Sequence, residues 1–204
     1  MSDWTANQIE LTLIRHGATI GNAQRRYIGK TEEQLSLEGL EGIRKRIEQG
    51  VYPKADILFV SPMLRCRQTA ELIYPGMQMY PIPQWREMDF GQFEGKNYQE
   101  LNGNPLYQSW IDSGGTISLP GGESREEFCN RVRQGMEQAM EIIRKQSRQK
   151  RVLSVAGVVH GGTIMALLSS YCGGDYYDYQ CSNGAGFMMR LQGDGNWVKG
   201  EKIE

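Results

Sequence analysis

The 204-residue sequence predicts an α/β fold: a mostly parallel mixed sheet with one antiparallel edge, in a single domain spanning 1–204. Three observations carry that prediction. Apolar runs of strand length alternate with segments of helical periodicity. One run, Val152 to Val159, is apolar enough to be a strand buried on both faces, and Gly193-Asp194-Gly195 marks a closing hairpin.

The elements follow in chain order. Ile9, Leu11 and Leu13 alternate with Glu10, Thr12 and Ile14, a strand running straight into Arg15-His16-Gly17. Leu37, Leu40, Ile43 and Ile47 recur at helical spacing, with Ser36 as N-cap and Gly50 as the stop. Ile57 to Val60 reads as a buried strand, after which Ser61 would cap a helix opening at Pro62 and reaching about Tyr74. Met79 to Ile82 forms a further short strand. The Gly-, Asn- and aromatic-rich stretch at about 84–122 reads as loops and short helices forming a cap. Ser124-Arg125-Glu126-Glu127 is a capping box, and its helix carries Phe128, Val132, Met136, Met140 and Ile143 on one face as far as about Ser147. The long strand at Val152 ends at His160-Gly161-Gly162, with a helix from Thr163 to Tyr171. Gly186 to Gln192 and Asn196 to Ile203 make the hairpin.

Composition excludes some functions. With 23 Lys and Arg against 24 Asp and Glu, the net charge of -1 offers no global attraction to nucleic acid or anionic lipid, so any bound anion is held by local charge. No run of about 18 apolar residues would span a membrane, and Met1 to Glu10 lacks a secretory pattern, so a cytoplasmic location is expected. Cys66, Cys129, Cys172 and Cys181 lack the close pairs of a zinc or redox site and read as reduced, structural thiols; whether Cys172 and Cys181 approach each other across a loop stays open.

The chemistry lies at strand ends. Three predicted strands terminate in Arg15-His16-Gly17, Ser61-Pro62 and His160-Gly161-Gly162, and in open α/β sheets the ligand crevice lies outside those carboxyl ends. The chain has only two histidines, and both occupy matched positions beside glycine. A metal site would need carboxylate or thiolate partners close in sequence, which neither has, and Arg15 would repel the ion. An anion fits better: Arg15 and Arg65 supply always-charged donors, and glycine-flanked helix starts such as Gly161 supply backbone N–H groups. A solvated surface arginine is the better reading of Arg67.

Leu13-Ile14-Arg15-His16-Gly17-Ala18-Thr19 with Asn22, Ser61 to Ala70, Arg86 to Gly95, Gly121-Gly122-Glu123-Ser124 and Val159-His160-Gly161-Gly162 together resemble the histidine phosphatase superfamily, the phosphoglycerate-mutase-like group. The resemblance spans nearly the whole chain. It implies a three-layer α/β/α fold and hydrolysis of a phosphate monoester through a phosphohistidine on His16. It also implies a phosphate pocket of Arg15, Asn22, Arg65, His160 and Gly161, with Glu87 as acid and base. Neither metal nor other cofactor is implied, and the partner is a small phosphorylated metabolite, with a homodimer allowed. Ala18 stands where the family commonly has Glu, and Gln34 where proline often precedes the Leu-Ser pair, which touches substrate contacts and loop shape rather than catalysis.

The expected mechanism has a neutral His16, a protonated His160 and a Glu87 whose pKa is raised by a water-excluding cap of Trp85, Phe90 and Phe93. A phosphoglycerate mutase is the nearest alternative, although mutases of the family resemble longer chains. A non-catalytic phospho-ligand module is the alternative from another class. Alpha-ribazole phosphate, phosphosugars, phospho-acids and nucleotide-like monoesters all remain candidate substrates.

Overall fold

The computed structural model describes residues 8–146 and 152–204. Six strands form one sheet in the order β3-β2-β4-β1-β5-β6. They are β1 (Gln8–Arg15), β2 (Ile57–Val60), β3 (Met79–Pro81), β4 (Val152–Val159), β5 (Gly186–Leu191) and β6 (Trp197–Ile203). The β3-β2, β2-β4 and β4-β1 pairs are parallel, and β5 and β6 are antiparallel additions beyond β1. The mixed sheet with an antiparallel edge matches the expectation.

β1 and β4 lie side by side at the centre, with Arg15 opposite Val159. Central strands bury both faces, so in β1 Thr12 and Ile14 are as enclosed as Leu11 and Leu13. The mixed second face expected for β1 is thus a second core face.

The helices are α1 (Ile20–Ala23), α2 (Leu37–Glu48), α3 (Leu64–Ile73), α4 (Pro105–Asp112), α5 (Arg125–Gln146) and α6 (Gly161–Cys172). In α2 the Ser36 hydroxyl accepts the Gly39 N–H at 3.0 Å, as its sequence position suggests. The capping box of α5 is present: Glu127 accepts the Ser124 N–H at 2.8 Å and Ser124 accepts the Glu127 N–H at 3.1 Å. An N-cap of this kind stabilises a helix by about 1 kcal/mol. Phe128, Val132, Met136, Ala139 and Ile143 of α5 are buried in the main core beside Trp85, Phe93 and Leu167. The expected end of α5 at Ser147 lies outside the described residues.

Two boundaries differ from expectation. α3 opens at Leu64 with Met63 as N-cap and no side-chain cap, two residues later than Pro62. α6 opens at Gly161, with His160 itself as N-cap, two residues earlier than Thr163. At the first boundary the Ser61 hydroxyl bonds His160 at 2.8 Å and only the Met63 N–H, at 3.5 Å, on its own side, so it does not cap α3. The stretch 84–122 contains two 3-10 turns and α4. It also contributes Trp85, Phe93, Leu101 and Leu119 to the main core. All four cysteines are free, so Cys172 and Cys181 are unpaired.

Candidate active site

The carboxyl ends of β1, β2 and β4 meet. The His16 N–H bonds the Val159 carbonyl at 3.0 Å and the Ser61 N–H bonds the Val158 carbonyl at 3.0 Å, so the last peptides of β4 stitch both neighbouring loops together. The His16 and His160 rings then stand edge-to-face, 5.2 Å between centroids. The convergence inferred from strand ends is present.

His16 is only 4% exposed. Its Nδ1 lies 2.7 Å from the Gly17 carbonyl oxygen. A carbonyl can only accept, so Nδ1 carries the proton and Nε2 keeps its lone pair. This is the orienting acceptor that sequence reading leaves unidentified. Burial pushes the His16 pKa well below its ordinary value, and the guanidiniums of Arg65 and Arg15 push it further the same way. The imidazole is therefore neutral around pH 7.

His160 is held differently. The Arg65 Nε–H points at its Nδ1 at 3.3 Å, and a guanidinium only donates, so Nδ1 accepts. The proton then sits on Nε2, donated to the Ser61 hydroxyl at 2.8 Å. Burial, then Arg65 and His16, hold the His160 pKa well below its ordinary value. The expected protonated His160 is therefore corrected to a neutral one, because a fully buried imidazole beside a guanidinium does not keep a second proton. Cys66 packs its thiol 3.5 Å from the same Nε2.

Arg65 is 1% exposed, and its fork donates to the carbonyls of Thr31 and Gly29 at 2.8 Å each. The loop that offers those carbonyls is held by Glu94, which accepts the N–H groups of Gly29 at 2.8 Å and Thr31 at 2.9 Å. Gly29 must be glycine here, since a Cβ would stand 1.9 Å from the Met88 carbonyl oxygen. Arg15 donates to the Cys181 carbonyl at 2.7 Å, while its buried Nε has no partner. Asn22 accepts the Thr19 N–H at 3.2 Å and the Asn183 side-chain amide at 3.1 Å through one oxygen, which leaves its own NH₂ for another acceptor.

Glu87 lies at the start of α6. Its carboxylate accepts the N–H groups of Met88 at 3.0 Å and Gly162 at 3.2 Å. A Cβ on residue 162 would come 2.3 Å from Oε1, so any larger residue after Gly161 would push this carboxylate out of its place. Burial raises the Glu87 pKa above the ordinary carboxylate value, against the pull of those two backbone donors. Arg131 fixes the supporting backbone, donating to the carbonyls of Gln84 at 2.7 Å and Arg86 at 3.0 Å and to Glu123 at 2.7 Å.

A cavity of about 300 Å³ opens beside this centre, with Arg15, Glu87, Gly161 and Gly162 among its lining residues. His16 and His160 are not among its lining residues. Among the described residues no cluster of three or more His, Cys, Asp or Glu could hold a metal ion, and no helix is long and apolar enough to cross a membrane. Sequence reading missed Ser61 as a partner of His160, and missed Asn183, Glu94 and Arg131. Glu94 and Glu123 lie within segments that carried the resemblance, a signal that could have pointed to them.

A sheet whose strand ends bring two histidines and two arginines together, beside a cavity lined by a raised-pKa carboxyl, is the construction of an enzyme for phosphate esters. A profile of the histidine phosphatase superfamily (branch 1) matches residues 11–201, and the chain belongs to that superfamily. It is 33% identical over 168 residues to the uncharacterized phosphatase PhoE of Bacillus subtilis, covering 80% of this chain and 77% of that one. It is 32% identical over 167 residues to a 2,3-bisphosphoglycerate-dependent phosphoglycerate mutase of Rhizobium etli, covering 77% of each. The crystal structure of the alpha-ribazole phosphatase from Shigella flexneri superposes with a TM-score of 0.82 over 96% of both chains, at 22% identity, a likeness of fold.

Proposed function

We propose that the chain hydrolyses a small phosphate monoester through a covalent phosphohistidine on His16. The observation that carries this reading is the His16 tautomer: with Nδ1–H committed to the Gly17 carbonyl, Nε2 has a free lone pair at neutral pH. Nε2 attacks phosphorus, the N–P bond forms and the ester P–O bond breaks, while Glu87 gives its proton to the departing oxygen. Water then attacks the phosphoramidate, Glu87 takes a proton back, and inorganic phosphate leaves with His16 restored.

Arg15, Arg65 and the Asn22 amide spread the phosphoryl charge, and the backbone N–H at the start of α6, at Gly161, adds a neutral donor. His160 turns its Nε2–H from the Ser61 hydroxyl to a phosphoryl oxygen as the group arrives. The segment 84–122 acts as the cap that keeps bulk water from Glu87.

A mutase is the second reading, favoured by the Rhizobium etli relative. Rapid quenching with a ³²P-labelled ester tests the proposal. Label trapped in acid-labile form on His16 and released as inorganic phosphate supports it; steady turnover with no trapped label sinks it. Incubation with 3-phosphoglycerate, scored for phosphate against 2-phosphoglycerate, separates hydrolase from mutase.

A further inference from the structure

We propose that the cavity beside Glu87 selects phosphate esters whose leaving group carries a planar aromatic ring and no cation, received against the aromatic side chains that line it. This rests on the hydrolase reading, because it takes Glu87 as the group that meets the leaving oxygen. Glu87 lines the cavity together with Tyr27, Phe90, Trp110, Tyr176 and Tyr177, so whatever that oxygen carries meets those rings.

One cluster is Tyr27, Phe90 and Trp110. Tyr27 lies 5.2 Å from Phe90 and stands perpendicular to Trp110 at 5.7 Å, ring to ring. The other is Tyr176 and Tyr177, perpendicular to each other at 5.2 Å. Tyr176 is tied to the Gly162 carbonyl at 3.4 Å, and Tyr177 reaches across to the Gly114 carbonyl at 3.1 Å. Rings already locked by edge-to-face contacts lose little freedom when a further ring enters, and aromatic pairing adds to area burial.

Charge points the same way. Among the described residues Glu87 is the one carboxylate lining the cavity, beside the guanidiniums of Arg15 and Arg125, so the ammonium group of phosphoserine would enter against two like charges with only the proton-donating Glu87 as a carboxylate partner. Arg125 lines the cavity too, but its guanidinium lies 4.8 Å from the Tyr176 ring and 4.9 Å from the Tyr177 ring and bonds the Gly114 carbonyl. Through Nη2 and its stacking on the two rings it braces that side of the cavity.

The experiment compares 2-phenylethyl phosphate, n-butyl phosphate and phosphoserine with the intact protein. The first two leaving alcohols differ little in acidity, so their ratio of kcat/KM reports the cavity rather than bond strength. The expected result is a preference of about tenfold or more for the phenylethyl ester over both others, carried mainly by KM. In Tyr176→Leu, and separately in Phe90→Leu, that preference shrinks to about threefold or less. Equal turnover of phenylethyl and butyl esters, or faster turnover of phosphoserine, overturns the aromatic assignment and leaves the hydrolase reading standing. Absence of phosphate release from all three and from p-nitrophenyl phosphate overturns the hydrolase reading itself.

Discussion

The loops after β1 and after β4 begin alike, with a histidine followed by glycine at the end of a central parallel strand, yet they hold their imidazoles in opposite ways. His16 gives its Nδ1 proton to a backbone carbonyl and keeps Nε2 unbonded, whereas His160 has Nδ1 occupied by Arg65 and Nε2 by Ser61. One ring has a nitrogen to spend on chemistry; the other is fully engaged. The difference comes from which partners the neighbouring strand ends supply, and it supports the proposed division into nucleophile and helper without reference to either motif.

The largest expected effect tests that asymmetry directly. His16→Ala should lower turnover on the order of 10⁴-fold or more, to background. His160→Ala should leave measurable rate, and a phosphoenzyme that still forms, because a stabilising donor contributes on the order of 100-fold to 1000-fold. If quench-flow finds phosphohistidine in His16→Ala and none in His160→Ala, the assignment is reversed.

Glu87→Gln should cost on the order of 100-fold with an alkyl phosphate, whose leaving oxygen needs a proton. Its pH profile sharpens the point. Activity should rise with pH through the His16 pKa, which burial sets below 6.5, and fall as Glu87 loses its proton, above 4.5. The falling limb should disappear in Glu87→Gln. Ser61→Ala removes one of the two holds on His160, and kcat should drop by about tenfold with KM little changed.

The smallest effect is on folding. Both histidines hold their protons less tightly than in the unfolded chain, which therefore binds two extra protons as pH falls below about 6.5. Glu87 opposes them, since its raised pKa keeps a proton in the folded state that the unfolded state has lost. With two groups against one, stability should fall as pH decreases below about 6.5. Urea titrations at pH 7 and pH 5 check this, and His160→Gln should flatten the slope.

Much of this was legible in the sequence, and the gaps have physical causes. β4 was clear because a strand buried on both faces has no polar alternation to confuse it, and α5 because Ser124 and Glu127 cap locally. The convergence of His16 and His160 followed from where ligand crevices lie in α/β sheets. Ser61 was misread because a serine before proline is a good local cap, and only the folded sheet reveals the stronger claim of an imidazole 2.8 Å away. The charge of His160 was misjudged because an adjacent guanidinium 95 positions distant in sequence cannot be seen as a neighbour. Backbone carbonyls, such as those of Gly17, Gly29 and Thr31, leave no trace in residue type at all.

The pairing of β1 has a consequence for how the molecule comes into being. β1 is made early, but its two sheet neighbours, β4 and β5, are the fourth and fifth strands. During synthesis this apolar strand must wait, unpaired, until nearly the whole chain has left the ribosome, and closing such long loops slows folding. His16, the proposed nucleophile, sits at its tip and is fixed by partners around Val159 and Asn183. Nascent fragments ending before β4 should therefore be inert and aggregation-prone, and activity should appear only when the late strands dock.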